Sequence, residues 1–174
     1  MQEKEPWDSS DKAAERLRVS DFGSVYQVSD MSRMNRFPKT YNEARKAMAT
    51  FANYPLMSKS GLSATLSKKS IEKILSTKAV DGSHEFKAHL IAAGNLDKLF
   101  STAIEPWPFE HNPNKNNDGI VAIHRLYAPM EYDRKIAIVK ITVKEMKNPK
   151  DGNRIYTIKT LDADLDKKTG DAVS

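Results

Sequence analysis

The chain has 174 residues, 39% hydrophobic and 29% charged, with a formal net charge of +5 and no cysteine. Disulfides and thiolate chemistry are therefore excluded, and no run approaches the roughly 20 apolar residues that a membrane-spanning helix needs. The positive excess is uneven, since residues 61–160 carry 16 basic and 11 acidic side chains, and such a basic segment is compatible with a polyanionic partner. The length suits one compact domain plus an appendage. The opening "MQEKEPWDSSDK" has no apolar signal-peptide core, so a soluble domain is expected.

Residues 1–38 are polar and interrupted ("DSSDK", "SDFGS", "SDMSRMNRFPK") and read as a partly ordered extension or linker. Thr40 then caps a helix over "TYNEARKAMATFA", which sets Ala44, Ala47, Met48 and Phe51 on one face until Pro55 stops it. "SKSGLSATLS" is a turn followed by a short extended piece. Ser67 caps a second helix, "KKSIEKILS", striped by Ile71, Ile74 and Leu75, and "KAVDGS" breaks it. The spacing of Phe86, Leu90, Ala93, Leu96, Leu99, Phe100 and Ala103 predicts one longer helix over about 84–104. "EPWPFEHNPNKNNDG" follows, the longest stretch without a pattern. A loop of that length in a compact domain is often functional or mobile.

After Gly119 the period changes to two. "IVAIHRLY", "KIAIVKITVKE" and "RIYTIKTL" read as three strands, joined by "APMEYDR" and by "MKNPKDGN" with its Asp151–Gly152 turn signal. Helices first and consecutive strands afterwards indicate an α+β fold, with N-terminal helices packed on one face of an antiparallel meander sheet. The acidic tail "DADLDKKTGDAVS" is expected to fray. Val139, Ile141 and Val143 should point toward the helices, which leaves Lys140, Thr142 and Lys144 on the open face. Lysines on strands discourage edge aggregation. Neighbouring lysines on one face also make a surface for phosphates.

Histidine suits acid or base work near neutrality. The four here, His84, His89, His111 and His124, form no ligand motif, and the His84–x4–His89 spacing is one residue longer than a helical metal pair. No metal and no cofactor is expected. His89 borders a buried helical face, where a histidine is more often structural. His124 and Arg125 must face opposite ways by alternation, and the pattern does not decide which points outward.

Five segments carry a resemblance. "GLSATLSKKSIEKILS", "AHLIAAGNLDKLF", "IHRLYAPM", "IAIVKITVKE" and "GNRIYTIKTLD" resemble, in order and spacing over about residues 60–162, a domain of large polyvalent proteins of phages and mobile elements. That domain is grouped with the barnase–EndoU–colicin E5/D–RelE-like nucleases. The resemblance implies three parts: an N-terminal extension with one helix (1–57), the nuclease-like domain (58–162) and the acidic tail (163–174). It implies a four-stranded antiparallel sheet, for which "SATLS" is the candidate extra strand.

It further implies a metal-independent, toxin-like endoribonuclease in which the ribose 2′-hydroxyl attacks the adjacent phosphate. Such a reaction needs a base, an acid and donors for the phosphoryl oxygens. The candidate catalytic residues are His89, His124, Lys73, Lys144 and Thr142. The candidate substrate contacts are Lys140, Arg125, Tyr156 and Lys159. The partners implied are RNA (transfer or messenger) and an acidic inhibitor or immunity protein, with no membrane. The place of action is the cytoplasm, or a target cell's cytoplasm reached within a larger protein. The alternative is a catalytically inactive RNA-binding or protein-interaction module of a polyvalent protein. Lys73 and His89 sit on helices while the polar strand row faces away from them, so all the candidates can converge only at a sheet edge or strand end.

Overall fold

The computed structural model describes Ala14 and residues 16–28, 36–111, 119–148, 150 and 152–163. The centre of the proline- and asparagine-rich stretch, Asp151 of the expected turn, and the acidic tail from Asp164 onward lie outside the described residues. The first element is a short strand, β1 (Tyr26–Val28), preceded by a 3-10 turn at Val19–Asp21. Thr40 caps α1 (Tyr41–Ala49) by accepting the Glu43 N–H at 3.1 Å, which satisfies one of the donors a helix start leaves open. Leu56–Met57 (β2) and Ser63–Ala64 (β3) form a separate two-stranded ribbon. "SATLS" therefore does not extend the main sheet, apart from a single parallel bridge between Thr65 and Arg154.

Ser67 caps α2 (Lys68–Ile74) through the Ser70 N–H. The stretch expected to break the helix is itself helical, because Ser76 accepts the Ala79 N–H and opens α3 (Thr77–Gly82). The single helix expected over 84–104 is two, α4 (Phe86–Gly94) and α5 (Leu96–Thr102). The apolar stripe runs through both, so periodicity does not register the break. Tertiary contacts impose it. A Cβ on Gly94 would lie 2.8 Å from Pro38 Cγ, so the chain approaches there too closely for any side chain. Asn95 next to it donates its amide to the carbonyls of Arg36 (2.6 Å) and Ile91 (2.8 Å). Arg36 locks the same corner through Asp97 at 2.6 Å.

β4 (Glu110–His111), β5 (Ile120–Tyr132), β6 (Lys135–Met146) and β7 (Arg154–Asp162) complete the elements. β5, β6 and β7 form the expected antiparallel meander. The sheet as a whole is mixed, not a pure meander, because β1 runs parallel to β5 with Tyr26 opposite Met130. β4 pairs antiparallel to β5 on the same edge. The expected link "APMEYDR" is mostly strand. β5 and β6 meet in a two-residue turn at Asp133–Arg134, with φ of 48° and 63°. Positive φ at both central residues is the type I′ sense that matches strand twist.

Ala137, Val139, Ile141 and Val143 of β6, with Leu126, Ala128, Met130 and Tyr132 of β5, join the helices in one core. The opposite face is not wholly open. Ala14, Leu17 and Phe22 from the N-terminal stretch pack with Tyr127, Ile138 and Ala163 over one end of it. The other end is left to the polar row of β6. Ile141 is 0% exposed in the middle of the main core. Ile141→Ala should therefore lower unfolding stability by about 2–5 kcal/mol in urea denaturation. Tyr54→Ala, at a 66% exposed position, should change it by less than about 0.5 kcal/mol.

Candidate functional site

The hairpin register builds the site in three cross-strand rows on the outer face. Arg125 lies opposite Thr142, which lies opposite Thr157. On one side of that row Tyr127, Lys140 and Lys159 line up, and on the other Ile123, Lys144 and Arg154. The Lys140–Thr142–Lys144 row thus faces outward, as period two requires. Two short helices then wall it in. α2 and α3 pack beside β7 and bring Lys73 and Lys78 over the sheet edge. The result is a cavity of about 450 Å³ lined by Lys73, Lys78, Arg125, Lys140, Lys144 and Lys159, with no carboxylate among its described lining residues.

Tyr156 reaches this cavity through a register shift. Thr142 pairs with Thr157 but Val143 pairs with Ile155, so Tyr156 is the extra residue of a β-bulge. Strict alternation would place it on the core face with Ile158. The bulge re-aims it outward, which is what such irregularities do to a side chain. Its ring lies under two ammonium groups, with Lys73 Nζ 3.8 Å and Lys144 Nζ 3.3 Å from the ring centroid. Burial by itself would raise the phenol. Hydrogen bonding from Lys73 and the charge of Lys144 outweigh that and hold it below its ordinary value.

Arg125 and Lys140 are unusual in their burial, at 8% and 4% exposure. Charged groups are rarely buried unless they are paired. Arg125 is held by Glu110 of β4 at 2.9 Å, yet its Nε is buried with no hydrogen-bond partner among the described residues. Lys140 and Lys159 sit directly across from each other. Like charges so placed oppose folding. This concentration of positive charge is the chemical statement the site makes, and an anion is what it can take up.

Seven of the nine residues singled out from the sequence line this cavity: Lys73, Arg125, Lys140, Thr142, Lys144, Tyr156 and Lys159. Neither histidine does. His124, on the helix-facing side, has Glu105 at 2.7 Å from Nδ1 and Glu145 at 2.9 Å from Nε2, with the Phe109 ring against it. The ambiguity between His124 and Arg125 is thereby resolved, with Arg125 on the outer face. His89 is 0% exposed. The Ile74 carbonyl, 2.7 Å from Nε2, can only accept, so Nε2 carries the proton and Nδ1 accepts from the Ser83 hydroxyl at 2.6 Å. Ser83 in turn accepts the Thr160 N–H. His89 therefore ties α2, the α3–α4 link and β7 together as a neutral ring.

Residues 39–156, about two thirds of the chain, match the family described as large polyvalent protein-associated domain 3. The chain belongs to that family. No curated protein and no solved structure gives a significant match. The matched span of this polyvalent-protein domain holds Lys73, Arg125, Lys140, Thr142, Lys144 and Tyr156 but ends before Thr157 and Lys159. Among the described residues no group of three or more His, Asp and Glu is placed to hold a metal ion, and no helix is long and apolar enough to cross a membrane. Sequence reasoning missed Ser76, Lys78 and Thr157 in the lining. Thr157 was within reach, since it alternates with Lys159. Ser76 and Lys78 were not: Ser76 falls at the end of the second expected helix, and Lys78 opens the stretch expected to break it, whereas in the structure Ser76 caps α3 and Lys78 lies within it.

Burial lowers the His89 imidazole's affinity for a proton, against the opposing pull of the Ile74 carbonyl. The unfolded ring charges below about pH 6.5, where the native ring stays neutral. The unfolded state then binds more protons, so this contribution is complete above that pH and is lost as the pH falls through it. The urea midpoint should accordingly fall from pH 7.5 to 5.5 with a His89 component of at most about 1.4 kcal/mol per pH unit. In His89→Gln that component should vanish and the slope should be shallower. Equal slopes would mean that the ring is not held neutral.

Proposed function

We propose that the domain binds RNA in this cavity and cleaves it without a metal, by attack of the ribose 2′-oxygen on the adjacent phosphorus. The observation that carries the reading is the placement of Tyr156 between Lys73 and Lys144, beside Arg125, Lys140 and Thr142, in one cavity with no carboxylate among its described lining residues. The chemistry divides among these groups. The Tyr156 phenolate, favoured by its two ammonium neighbours, takes the 2′-hydroxyl proton as the O2′–P bond forms. The P–O5′ bond breaks, and an ammonium proton from Lys73 or Lys144 goes to the departing O5′. Arg125, Lys140 and the Thr142 hydroxyl stabilise the charge on the non-bridging oxygens. The products are a 2′,3′-cyclic phosphate and a free 5′-hydroxyl. Tyr156 thus serves as a base and not only as a contact, while His89 and His124 have structural roles.

One observation favours the second reading, an RNA-binding module without catalysis. Among the described residues the cavity has no histidine or carboxylate, so no group whose ordinary pKa lies near neutrality. An acidic inhibitor protein fits either reading, since the same cations would steer it to the site.

The test is incubation of the purified protein with total RNA and transfer RNA in EDTA, with the fragment ends analysed. Fragments ending in 2′,3′-cyclic phosphate are expected, with cleavage slowed on the order of 10²-fold or more in Tyr156→Phe and Lys144→Ala and little changed in His124→Ala. Intact RNA, with binding that weakens steeply with salt, would replace the enzyme by the binding module.

A further inference from the structure

The segment "EPWPFE" carries a tryptophan that is not among the cavity's lining residues. Trp107 remains 36% exposed, although its ring packs edge-on against Tyr127, with centroids 5.5 Å apart and planes at 86°. A large aromatic ring in that position leaves apolar surface open to a second flat partner. The ring is held and not loose. Pro106 and Pro108 flank it, and the residue before a proline is confined to extended backbone. The segment is anchored on both sides, by the Ile104–Tyr127 bridge before it and by β4 with the Glu110–Arg125 ion pair after it.

Its position is set by the same register that builds the cavity. Tyr127 lies on the outer face beside Lys140, its partner across β5 and β6, and one step along that face from Arg125. Both cations line the cavity. The anchor of Trp107 is therefore the immediate neighbour of the two most buried cations of the site. Trp107 thus packs on a side chain that lies directly across from Lys140 and two residues along β5 from Arg125.

We propose that Trp107 is a base-stacking platform at the border of the cationic cavity, and that the ligand is accordingly an RNA with unpaired bases. This inference rests on the RNA reading of the cavity and adds the class of RNA. Every base has a π-face, so such a platform selects single strands, loops and ends over paired helices without reading sequence. The proline-stiffened backbone presents the ring ready for contact, which lowers the ordering cost of binding.

The experiment uses the full chain with Trp7→Phe, so that Trp107 is the single tryptophan. Three probes are compared by fluorescence and competition: a short 2′-O-methyl single strand that cannot be cleaved, its blunt duplex, and inorganic polyphosphate. The single strand is expected to quench Trp107, and polyphosphate to bind without quenching. Trp107→Ala should weaken single-strand binding on the order of tenfold, the worth of one base stack, and leave polyphosphate affinity unchanged. Trp107→Phe should restore most of the loss. Single-strand binding unchanged in Trp107→Ala would overturn the proposal while leaving the RNA-binding cavity intact. So would an equal loss of polyphosphate binding, which marks a purely structural tryptophan. If the protein with intact Trp107 binds neither polymer, the RNA reading of the cavity falls, and the platform with it.

Discussion

The register of the β5–β6 hairpin is the constraint on which the rest of this structure depends. It runs from Tyr132 opposite Lys135 to Ile120 opposite Met146, closed by a turn whose two central residues both have positive φ. Because side chains alternate, this one alignment sends Leu126, Met130, Val139, Ile141 and Val143 into the core and Arg125, Lys140, Thr142 and Lys144 to the other face. A slip of one residue would exchange the two faces of whichever strand moved. It would bury Arg125, or Lys140 and Lys144, in an apolar core and turn that strand's core residues to water, so the geometry of the core and the electrostatics of the site are fixed together.

The outer face carries the consequence. Six cations converge where cross-strand pairing brings Lys140 against Lys159 and the helix edge adds Lys73 and Lys78. Their mutual repulsion opposes folding, and Glu110 on β4 offsets part of it through its ion pair with Arg125. The core on the opposite face of the same strands supplies the stability that makes such a surface tolerable. An anion that enters the cavity would relieve the repulsion, so binding and stability are linked at this site.

The histidines illustrate how chemical suitability differs from position. His89 and His124 each have both ring nitrogens occupied by fixed partners, a carbonyl and a hydroxyl for one and two carboxylates for the other. Both lie on the helix side of the sheet. In this fold the imidazoles tie elements together, and the groups left on the accessible face are ammonium, guanidinium, phenol and hydroxyl. The proposed reaction is therefore written with Tyr156 and its lysines. The tension over Lys73 resolves in the same geometry: it is a helix residue, but its helix lies at the β7 edge and reaches round to the outer face.

What the sequence determined by itself was set by local periodicity and capping: the helix starts at Thr40 and Ser67, the three meander strands, and the outward row of Lys140, Thr142 and Lys144. These depend on hydrogen bonds and side-chain alternation within a few residues, so they can be read from the chain alone. The tertiary structure decided the rest. The helix break at Gly94–Asn95 answers to Pro38 and Arg36, more than fifty residues away, and the parallel β1 strand answers to the edge of β5. The choice between His124 and Arg125 follows from register with β6. The outward turn of Tyr156 follows from a bulge against β6 that no local pattern announces. Each of these is settled by a partner far along the chain, and a contact between distant segments leaves no period in the sequence of either one.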